Sequence, residues 1–406
     1  MTETTFSRWY KALAAGAMLL GCLHPAQARD LKIGLVFDSD DARYDARRLE
    51  KNYPGQPLGR PKAGAEIALA ESDFQLGQAK LNITVQDLPV ENIAAAKALI
   101  EAQAKKGVQY FLLDLPGPLI AELALWMRNT DVVLFNVSAS DVSLRNASCR
   151  ANLFHTMPDD NMLADATAQF LTTHKWTKVL LLVGTTAADL PLVAAAQKSM
   201  KRYGLKLVAT KPYKLSNDPR ERDLANVALL TAGVDADVVW VVDADGEFAR
   251  EVPYRTMLPR PVVGSAGLVA EGWHSSWERN GAPQLNRRFR KSAGRLMASA
   301  DWAAWMATKA IIDVALSVPD GRQQRQALRN QQIALDGFKG ARLSFRPWDQ
   351  QLRQPIFLAQ GGLGGGIAGV APFEGFLHQK NNLDTLGTDE RESPCKLTDA
   401  GVGGKK

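Results

Sequence analysis

The chain has 406 residues, of which 46% are hydrophobic and 23% charged, and its formal net charge is +6. This composition is that of a globular protein and excludes intrinsic disorder and collagen-like structure. The length allows two or three domains. The excess of 49 Lys and Arg over 43 Asp and Glu is small and contains no run of five basic residues, so we expect no nucleic-acid partner.

Residues 1–28 have the pattern of an export signal. Arg8 and Lys11 supply positive charge, and residues 12–22 form an apolar stretch that is too short to span a bilayer. Ala26 and Ala28 fit the small-x-small pattern of a signal-peptide cleavage site, which predicts cleavage after Ala28. We therefore expect a soluble product in the periplasm.

The three cysteines carry two further predictions. Residues 19–22 also fit a lipoprotein signal with Cys22 as the lipidated residue, and an uncleaved membrane anchor is the third alternative for the N-terminal segment.

Cleavage after residue 28 would leave two cysteines, Cys149 and Cys395. Because an exported compartment is oxidising, we expect a disulfide between them, which would tie the C-terminal tail to the middle of the chain. Two separate buried thiols are the alternative.

Short apolar runs alternate with helical patterns from residue 31 onward. The first half of the chain predicts strands at 31–37, 81–86, 110–113 and 132–137 and helices at 63–73, 92–106 and 119–128. The second half predicts strands at 179–183, 205–208, 238–242 and 261–264 and helices at 162–174, 191–203, 220–232, 285–297 and 302–316. Strands bounded by helices indicate an α/β fold with two Rossmann-like lobes and parallel sheets joined by a hinge.

The pattern changes after residue 338. Residues 341–345 and 354–359 predict a pair of strands, and the glycine-rich residues 361–366 predict a flexible segment. The tail from residue 376 is polar, and we expect it to be irregular. No catalytic motif with a nucleophile elbow, a zinc-binding histidine pair or a phosphate loop is present, so we expect no enzyme activity and no cofactor.

Several stretches resemble the type I periplasmic substrate-binding proteins of ABC transporters, the group that contains leucine/isoleucine/valine binders. They are residues 132–140 (VVLFNVSAS), 154–158 (FHTMP), 262–268 (VVGSAGL) and 336–345 (DGFKGARLSF). The resemblance implies a signal peptide at 1–28, a first lobe at 29–152 plus about 268–335, a second lobe at about 153–267 plus about 336–375, and a tail at 376–406. It also implies permease and ATPase partners, a small-molecule ligand and a monomeric protein.

Three longer stretches resemble one branch of this group, which is associated with pyrroloquinoline quinone (PQQ)-dependent alcohol dehydrogenase systems. They are residues 112–126, 134–158 and 372–395. The branch association implies a transport role in such a system. A metal or cofactor chaperone, or a sensor partner without transport, is the alternative, and a degenerate enzyme is a more remote one.

The candidate ligand-binding residues follow the predicted strands, because ligands of doubly wound sheets bind outside the carboxyl ends of the strands. These residues are Asp38, Asp40, Asp114, Ser138, Ser140, Asp141, Thr185, Asp243, Asp245, Ser265 and Trp273. Ser138 and Ser140 match the hydroxyls that amino-acid binders of the group present to a ligand carboxylate. The acidic loop after the first strand and Pro116 depart from that pattern and disfavour an amino-acid ligand.

The recurrence of carboxylates suggests a bound cation or a ligand that carries one. Asp38, Asp40, Asp114 and Asp141 would be its ligands, since carboxylate oxygens suit hard cations. The alternative is that aspartates after strands cap the following turns and helices. Trp273 offers a ring face on which a flat ligand could stack, whereas core packing is the alternative and the expectation for Trp302 and Trp305.

Overall fold

A computed structural model describes residues 29–360 and 365–397 of the chain. The predicted signal peptide, the lipidation site at Cys22 and most of the glycine-rich residues 361–366 lie outside the described residues. No helix in the described part of the chain is long and apolar enough to cross a membrane.

Strands and helices alternate through most of the described chain. The strands are β1 (Arg29–Asp38), β2 (Leu81–Val90), β3 (Tyr110–Asp114), β4 (Val133–Asn136), β5 (Leu153–His155), β6 (Lys178–Val183), β7 (Lys206–Pro212), β8 (Val238–Val242), β9 (Val262–Gly264), β10 (Leu268–Glu271), β11 (Leu335–Asp336), β12 (Arg342–Phe345), β13 (Leu352–Arg353), β14 (Ile356–Gln360) and β15 (Ile367–Ala371). The α-helices are α1 (Ala46–Lys51), α2 (Lys62–Gln78), α3 (Ile93–Lys105), α4 (Gly117–Trp126), α5 (Asp160–Thr173), α6 (Asp189–Arg202), α7 (Val227–Thr231), α8 (Val252–Arg255), α9 (Ala282–Ala293), α10 (Ser299–Ser317) and α11 (Gly321–Arg329). Short 3₁₀ helices cover Ala42–Tyr44, Val142–Arg145, Pro219–Ala225, Ala249–Glu251 and Asn382–Thr385.

Two sheets organise the two lobes. The first is a five-stranded parallel sheet with the order β2-β1-β3-β4-β5. The second has seven strands in the order β15-β14-β10-β9-β8-β6-β7, in which β14 and β15 run antiparallel to their neighbours. Every residue of β3, β4 and β8 is buried, as expected for strands that helices cover on both faces. The predicted α/β architecture with two lobes is therefore confirmed.

The chain passes between the lobes after β5, after β10 and between β13 and β14. A third, small sheet with the order β11-β12-β13 precedes the last crossing, and Leu343 and Phe345 of β12 lie in the hydrophobic core of the first lobe. The predicted lobe boundaries near residues 152, 268 and 335 stay predictions. Strand pairing places β10 in the second sheet, so that sheet extends to Glu271.

Two details of the predicted elements are wrong. Residues 220–232 do not form one helix, because the extended backbone of Asn226 separates the 3₁₀ helix at Pro219–Ala225 from α7, and the Asn226 side chain caps α7 by accepting from the Leu229 N–H at 3.2 Å. The predicted strands at 341–345 and 354–359 correspond to β12 and β14 but do not pair with each other. Instead, β12 pairs with β11 and β13, and β14 pairs with β10 and β15.

The predicted disulfide between Cys149 and Cys395 is present, with the two Cα atoms 5.9 Å apart. The C-terminal tail is mostly irregular, as predicted, but it is packed rather than loose. Leu383, Asp384 and Leu386 are buried, and Leu386 lies in the core of the second lobe. The tail is therefore an integral part of the folded protein.

Candidate functional site

A cavity of about 410 Å³ lies between the lobes at the carboxyl edge of the first sheet. The loop after β3, the loop after β4 and the amino-terminal ends of α4 and α10 form its wall on the side of the first lobe, and Glu271 at the end of β10 faces it from the second lobe. Its charged lining residues are Asp41, Arg43, Asp141 and Glu271. This is the position at which a doubly wound sheet binds its ligand.

Asp114, a predicted ligand residue, lies behind the cavity wall and is completely buried. Its carboxylate accepts from Tyr44 Oη at 2.8 Å and pairs with Arg43 Nη2 at 3.2 Å and Arg60 Nη1 at 3.4 Å. Burial raises the pKa of Asp114, and the two guanidinium groups oppose this shift. Asp114 therefore holds two arginines of the loop after β1 in place and does not itself contact the cavity.

Arg43 is the one cationic side chain among the described residues that line the cavity. It forms a close ion pair with Asp41, with Nη2 2.6 Å from Oδ2, in addition to its contact with Asp114. Burial alone would raise the pKa of Asp41, but hydrogen bonds and charge from Arg43 outweigh it and lower the pKa below its ordinary value. The positive charge of Arg43 is thus matched by carboxylates of the protein.

Ser138, Ser140 and Asp141 line the cavity, as predicted from their position after β4. The Asp141 carboxylate covers the amino-terminal end of α4. A Cβ atom built on Gly117, the first residue of that helix, would lie only 2.2 Å from Asp141 Cγ, so only glycine allows this approach. A carboxylate of the protein therefore already occupies the anion-attracting end of α4.

The amino-terminal end of α10 also carries an internal carboxylate. Asp301 is completely buried, accepts from the Ala298 N–H at 2.9 Å and pairs with Arg295 Nη1 at 2.6 Å. Ala298, Ser299 and Ala300 line the cavity around it. Both helix ends that face the cavity are thus neutralised by carboxylates before a ligand enters.

Glu271 is the acidic residue that the second lobe contributes to the cavity, and the sequence interpretation missed it. Burial raises its pKa to about 7, and the Gly55 N–H, which donates to its carboxylate, opposes the shift. Neither Glu271 nor Asp141 forms an ion pair with a described residue. The cavity therefore has two carboxylates without a direct ion pair, one from each lobe, and of these Asp141 is stabilised by the end of α4 and by the charge of buried Arg145.

The loop that connects β1 to α2, residues 39–61, bridges the two lobes beside the cavity; we call it the bridging loop. Arg48 Nη1 pairs with Asp245 Oδ1 at 3.0 Å, and Lys51 Nζ pairs with Glu247 Oε2 at 2.7 Å. Tyr53 is 6% exposed, and its hydroxyl also donates to Glu247. These contacts cover one side of the cavity and join the first lobe to the turn after β8.

The remaining predicted polar residues do not line the cavity. Asp38 and Asp243 cap turns, with Asp38 Oδ1 accepting from the Asp40 N–H at 2.9 Å and Asp243 Oδ2 from the Ala249 N–H at 2.9 Å, so the capping alternative holds for both. Ser265 Oγ accepts from the Asp243 N–H at 2.9 Å. Asp40 and Thr185 are exposed to solvent, and Asp245 is engaged by the bridging loop.

The predicted cation site is not formed. Asp38, Asp40, Asp114 and Asp141 do not converge, and no three His, Cys, Asp or Glu side chains of the described residues are placed to hold a metal ion. The reason is that these carboxylates have separate protein partners: Asp38 is bonded to a turn, Asp114 is bonded to arginines, and Asp141 lies over α4.

Trp273 is part of the core and not of the cavity wall. It is completely buried, its ring lies 6.0 Å from that of Trp302, and its Nε1 donates to Asn286 Oδ1 at 3.0 Å. Trp302 and Trp305 are also completely buried. The core-packing alternative therefore holds for all three tryptophans.

Comparison with known proteins identifies the class of fold. Residues 54–251 match the family described as Periplasmic binding protein. No curated protein sequence matches the chain. Solved structures with the same fold are numerous, and the match covers 99–100% of the chains of three of them.

The leucine-, isoleucine-, valine-, threonine- and alanine-binding protein of Brucella ovis, in a closed conformation, is 14% identical with a TM-score of 0.69, and the match covers 91% of this chain and 100% of that one. An ABC transporter solute-binding protein of R. palustris in complex with benzoate is 14% identical with a TM-score of 0.62 over 91% and 100%. A substrate-binding protein of Desulfitobacterium hafniense in complex with Leu is 15% identical with a TM-score of 0.65 over 84% and 99%. At these identities the likeness establishes the fold.

Proposed function

We propose that this chain, whose residues 54–251 match the family described as Periplasmic binding protein and whose fold is that of the type I proteins, is the substrate-binding component of an ABC transporter. It captures a small organic ligand in the interlobe cavity by hinge closure and delivers it to permease and ATPase subunits from the periplasm. The similar proteins that are described as solute-binding or substrate-binding components of ABC transporters support this class.

The chemistry of the ligand follows from the two carboxylates that have no direct ion pair. Asp141 and Glu271 face one cavity from opposite lobes, and neither has an ion-pair partner among the described residues. Two carboxylates in a partly desolvated cavity repel each other unless a cation lies between them. A ligand with an ammonium or guanidinium group would bind both lobes at once and would therefore favour the closed state.

Carboxylate ligands are disfavoured because the groups that could bind an anion already have carboxylate partners in the protein. The positive ends of α4 and α10 are already covered by Asp141 and Asp301, and Arg43 is paired with Asp41 and Asp114. An incoming anion would have to displace one of these partners. The cavity of about 410 Å³ suits a small organic molecule, and Ser138 and Ser140 add hydroxyl groups that can hydrogen-bond to it.

The raised pKa of Glu271 makes the affinity for a cationic ligand depend on pH. Because its pKa is raised to about 7, a fraction of the protein carries a protonated Glu271 near neutral pH. A cationic ligand favours the ionised carboxylate, so binding releases a proton in that range. Affinity should therefore increase as the pH rises from 6 to 8.

We also propose that the protein acts in a PQQ-dependent alcohol dehydrogenase system. Residues 112–126, 134–158 and 372–395 support it through their resemblance to that branch of the family. If the link is real, the protein should be produced together with such a dehydrogenase during growth on an alcohol. Unchanged abundance under that condition would contradict it.

A thermal-shift experiment with matched probes tests the ligand class. The probes are 3-methylbutylamine, 3-methylbutanoate and leucine, which share a branched apolar body and differ in charge. We expect the amine to raise the melting temperature most and the carboxylate least, since a ligand at 100 times its dissociation constant adds about 2.7 kcal/mol to stability. A larger shift with 3-methylbutanoate would contradict the proposed charge of the ligand.

Variants locate the effect in the cavity. Asp141→Asn removes one of the two carboxylates and should abolish most of the shift caused by the amine. Asp235→Asn is the matched control, because Asp235 is an exposed aspartate of the second lobe that pairs with Lys178 away from the cavity. Equal loss of the shift in both variants would place the amine outside the cavity.

A further inference from the structure

We infer that residues 376–395 form a strap that restrains the hinge between the lobes, and that the Cys149–Cys395 disulfide anchors this strap to the first lobe. The tail follows the last strand of the second sheet, which leaves it attached to the second lobe. It then runs across the last interlobe crossing and ends on the first lobe.

The first attachment is to α5 and α6 of the second lobe. Gly387 N–H donates to Asp165 Oδ2 at 2.8 Å, and Arg202 Nη1 donates to the Gly387 carbonyl. Leu386 is completely buried in the core of this lobe, and the Phe376 ring lies 5.4 Å from that of Tyr203. The strap therefore moves with the second lobe.

The second attachment is to residues 346–355, which run from the end of β12 through β13 to the start of β14; we call them the crossing segment. Asp384 is completely buried and pairs with Arg346 Nε at 3.0 Å and Arg353 Nε at 2.8 Å. Trp348 Nε1 donates to the Thr388 carbonyl at 3.3 Å. Because burying unpaired charges is costly, this cluster fixes the strap to the hinge region.

The crossing segment is itself bonded to the first lobe. Gln350 Nε2 donates to the carbonyl of Leu153 in β5 at 2.5 Å, and Arg145 Nε donates to Gln351 Oε1 at 2.9 Å. These groups are buried. A rotation of the second lobe that carried the strap and the crossing segment with it would break these bonds.

The third attachment is covalent. Cys149 is 6% exposed and lies just before β5 in the first lobe, so its bond to Cys395 joins the end of the strap to that lobe. Cys395 lies seven positions after Thr388, and a chain of that length spans at most about 25 Å. The disulfide thus sets an upper limit on how far the two lobes can separate along the strap.

A distance measurement on the full chain tests this inference. Phe74 in α2 and Tyr254 in α8 are 76% and 86% exposed, and they lie on different lobes. Replacing both by p-acetylphenylalanine allows spin labels to be attached by ketone chemistry, which leaves the cysteines untouched. Pulsed dipolar spectroscopy then gives the interlobe distance distribution without any ligand.

We expect a narrow distribution in the oxidised protein and a broader one, with additional distances, after reduction with dithiothreitol. Cys395→Ser should reproduce the broad distribution without reductant, and Lys396→Ala, an exposed neighbour, should keep the narrow one. If the serine variant fails to fold, reduction of the folded protein decides; if the bond resists reduction, the serine variant decides. The same distribution in oxidised and disulfide-free protein would overturn the inference.

Discussion

The buried charges around Asp384 provide the sharpest prediction for stability. Its carboxylate is the partner of both Arg346 and Arg353, with Nε distances of 3.0 and 2.8 Å, and none of the three side chains is more than 4% exposed. Asp384→Asn keeps the size and an acceptor but removes the buried counter-charge of Arg353 and leaves Arg346 only its longer pair with Asp349, at 3.9 Å. Removing one partner of a buried pair costs about 3–5 kcal/mol, a large part of a typical stability of about 5–15 kcal/mol.

Equilibrium unfolding in urea, followed by tryptophan fluorescence, measures this loss. Asp389→Asn is the matched control in the same tail, since Asp389 is 18% exposed, pairs with His378 at 3.3 Å and otherwise accepts from the adjacent Glu390 N–H at 2.7 Å. We expect the control to lose less than about 1 kcal/mol, as is usual for partly exposed pairs. An Asp384→Asn protein that is as stable as the control would refute the conclusion that this charge cluster holds the tail.

Three further changes have defined outcomes. Burial raises the pKa of Glu271 to about 7, so the folded state keeps a proton that the unfolded chain releases near the ordinary pKa of glutamate. The free energy of unfolding should therefore fall as the pH rises from 5 to 7.5. In urea titrations at several pH values, this fall should be smaller by about 1–3 kcal/mol in Glu271→Gln. Gly117→Ala would place a Cβ 2.2 Å from Asp141 Cγ, displacing that carboxylate and weakening amine binding in calorimetry, whereas unchanged affinity would argue against its role. Arg48→Ala removes a pair in which Asp245 is 76% exposed, and a loss above about 1 kcal/mol in chemical unfolding would be unexpected.

Strands were predictable where the chain alternates between apolar runs and polar turns. The buried runs of β3 and β8 are each five residues long and entirely apolar except at the last residue of β3, which makes them visible in the sequence. The helix at 220–232 was not predictable from periodicity, because the capping side chain of Asn226 divides it. Local capping competes with the helical pattern there.

The candidate site was predictable in part. Ser138, Ser140 and Asp141 line the cavity because they follow a strand of the first sheet, which is what the position of a ligand site in such folds implies. The same rule placed Asp38 and Asp243 in the site, but each is used by a nearby turn. Position after a strand fixes where a residue lies, and local hydrogen bonds decide what it contacts.

Two cavity residues, Arg43 and Glu271, escaped the sequence interpretation. Arg43 belongs to the bridging loop, whose path over the end of β1 depends on long-range contacts with the second lobe. Glu271 ends β10, a strand of four residues that follows a glycine-containing turn and was not recognised. An acidic residue after the short apolar run of residues 268–270 was the available signal.

The central claim is that a positively charged ligand binds between Asp141 of one lobe and Glu271 of the other. Calorimetric titration of the whole protein with 3-methylbutylamine, at pH 6 and at pH 8, tests it most directly. The proposed site predicts saturable binding that is tighter at pH 8, with proton release, and that is lost in Asp141→Asn. Binding that is tighter at pH 6, or that survives in this variant, would contradict it.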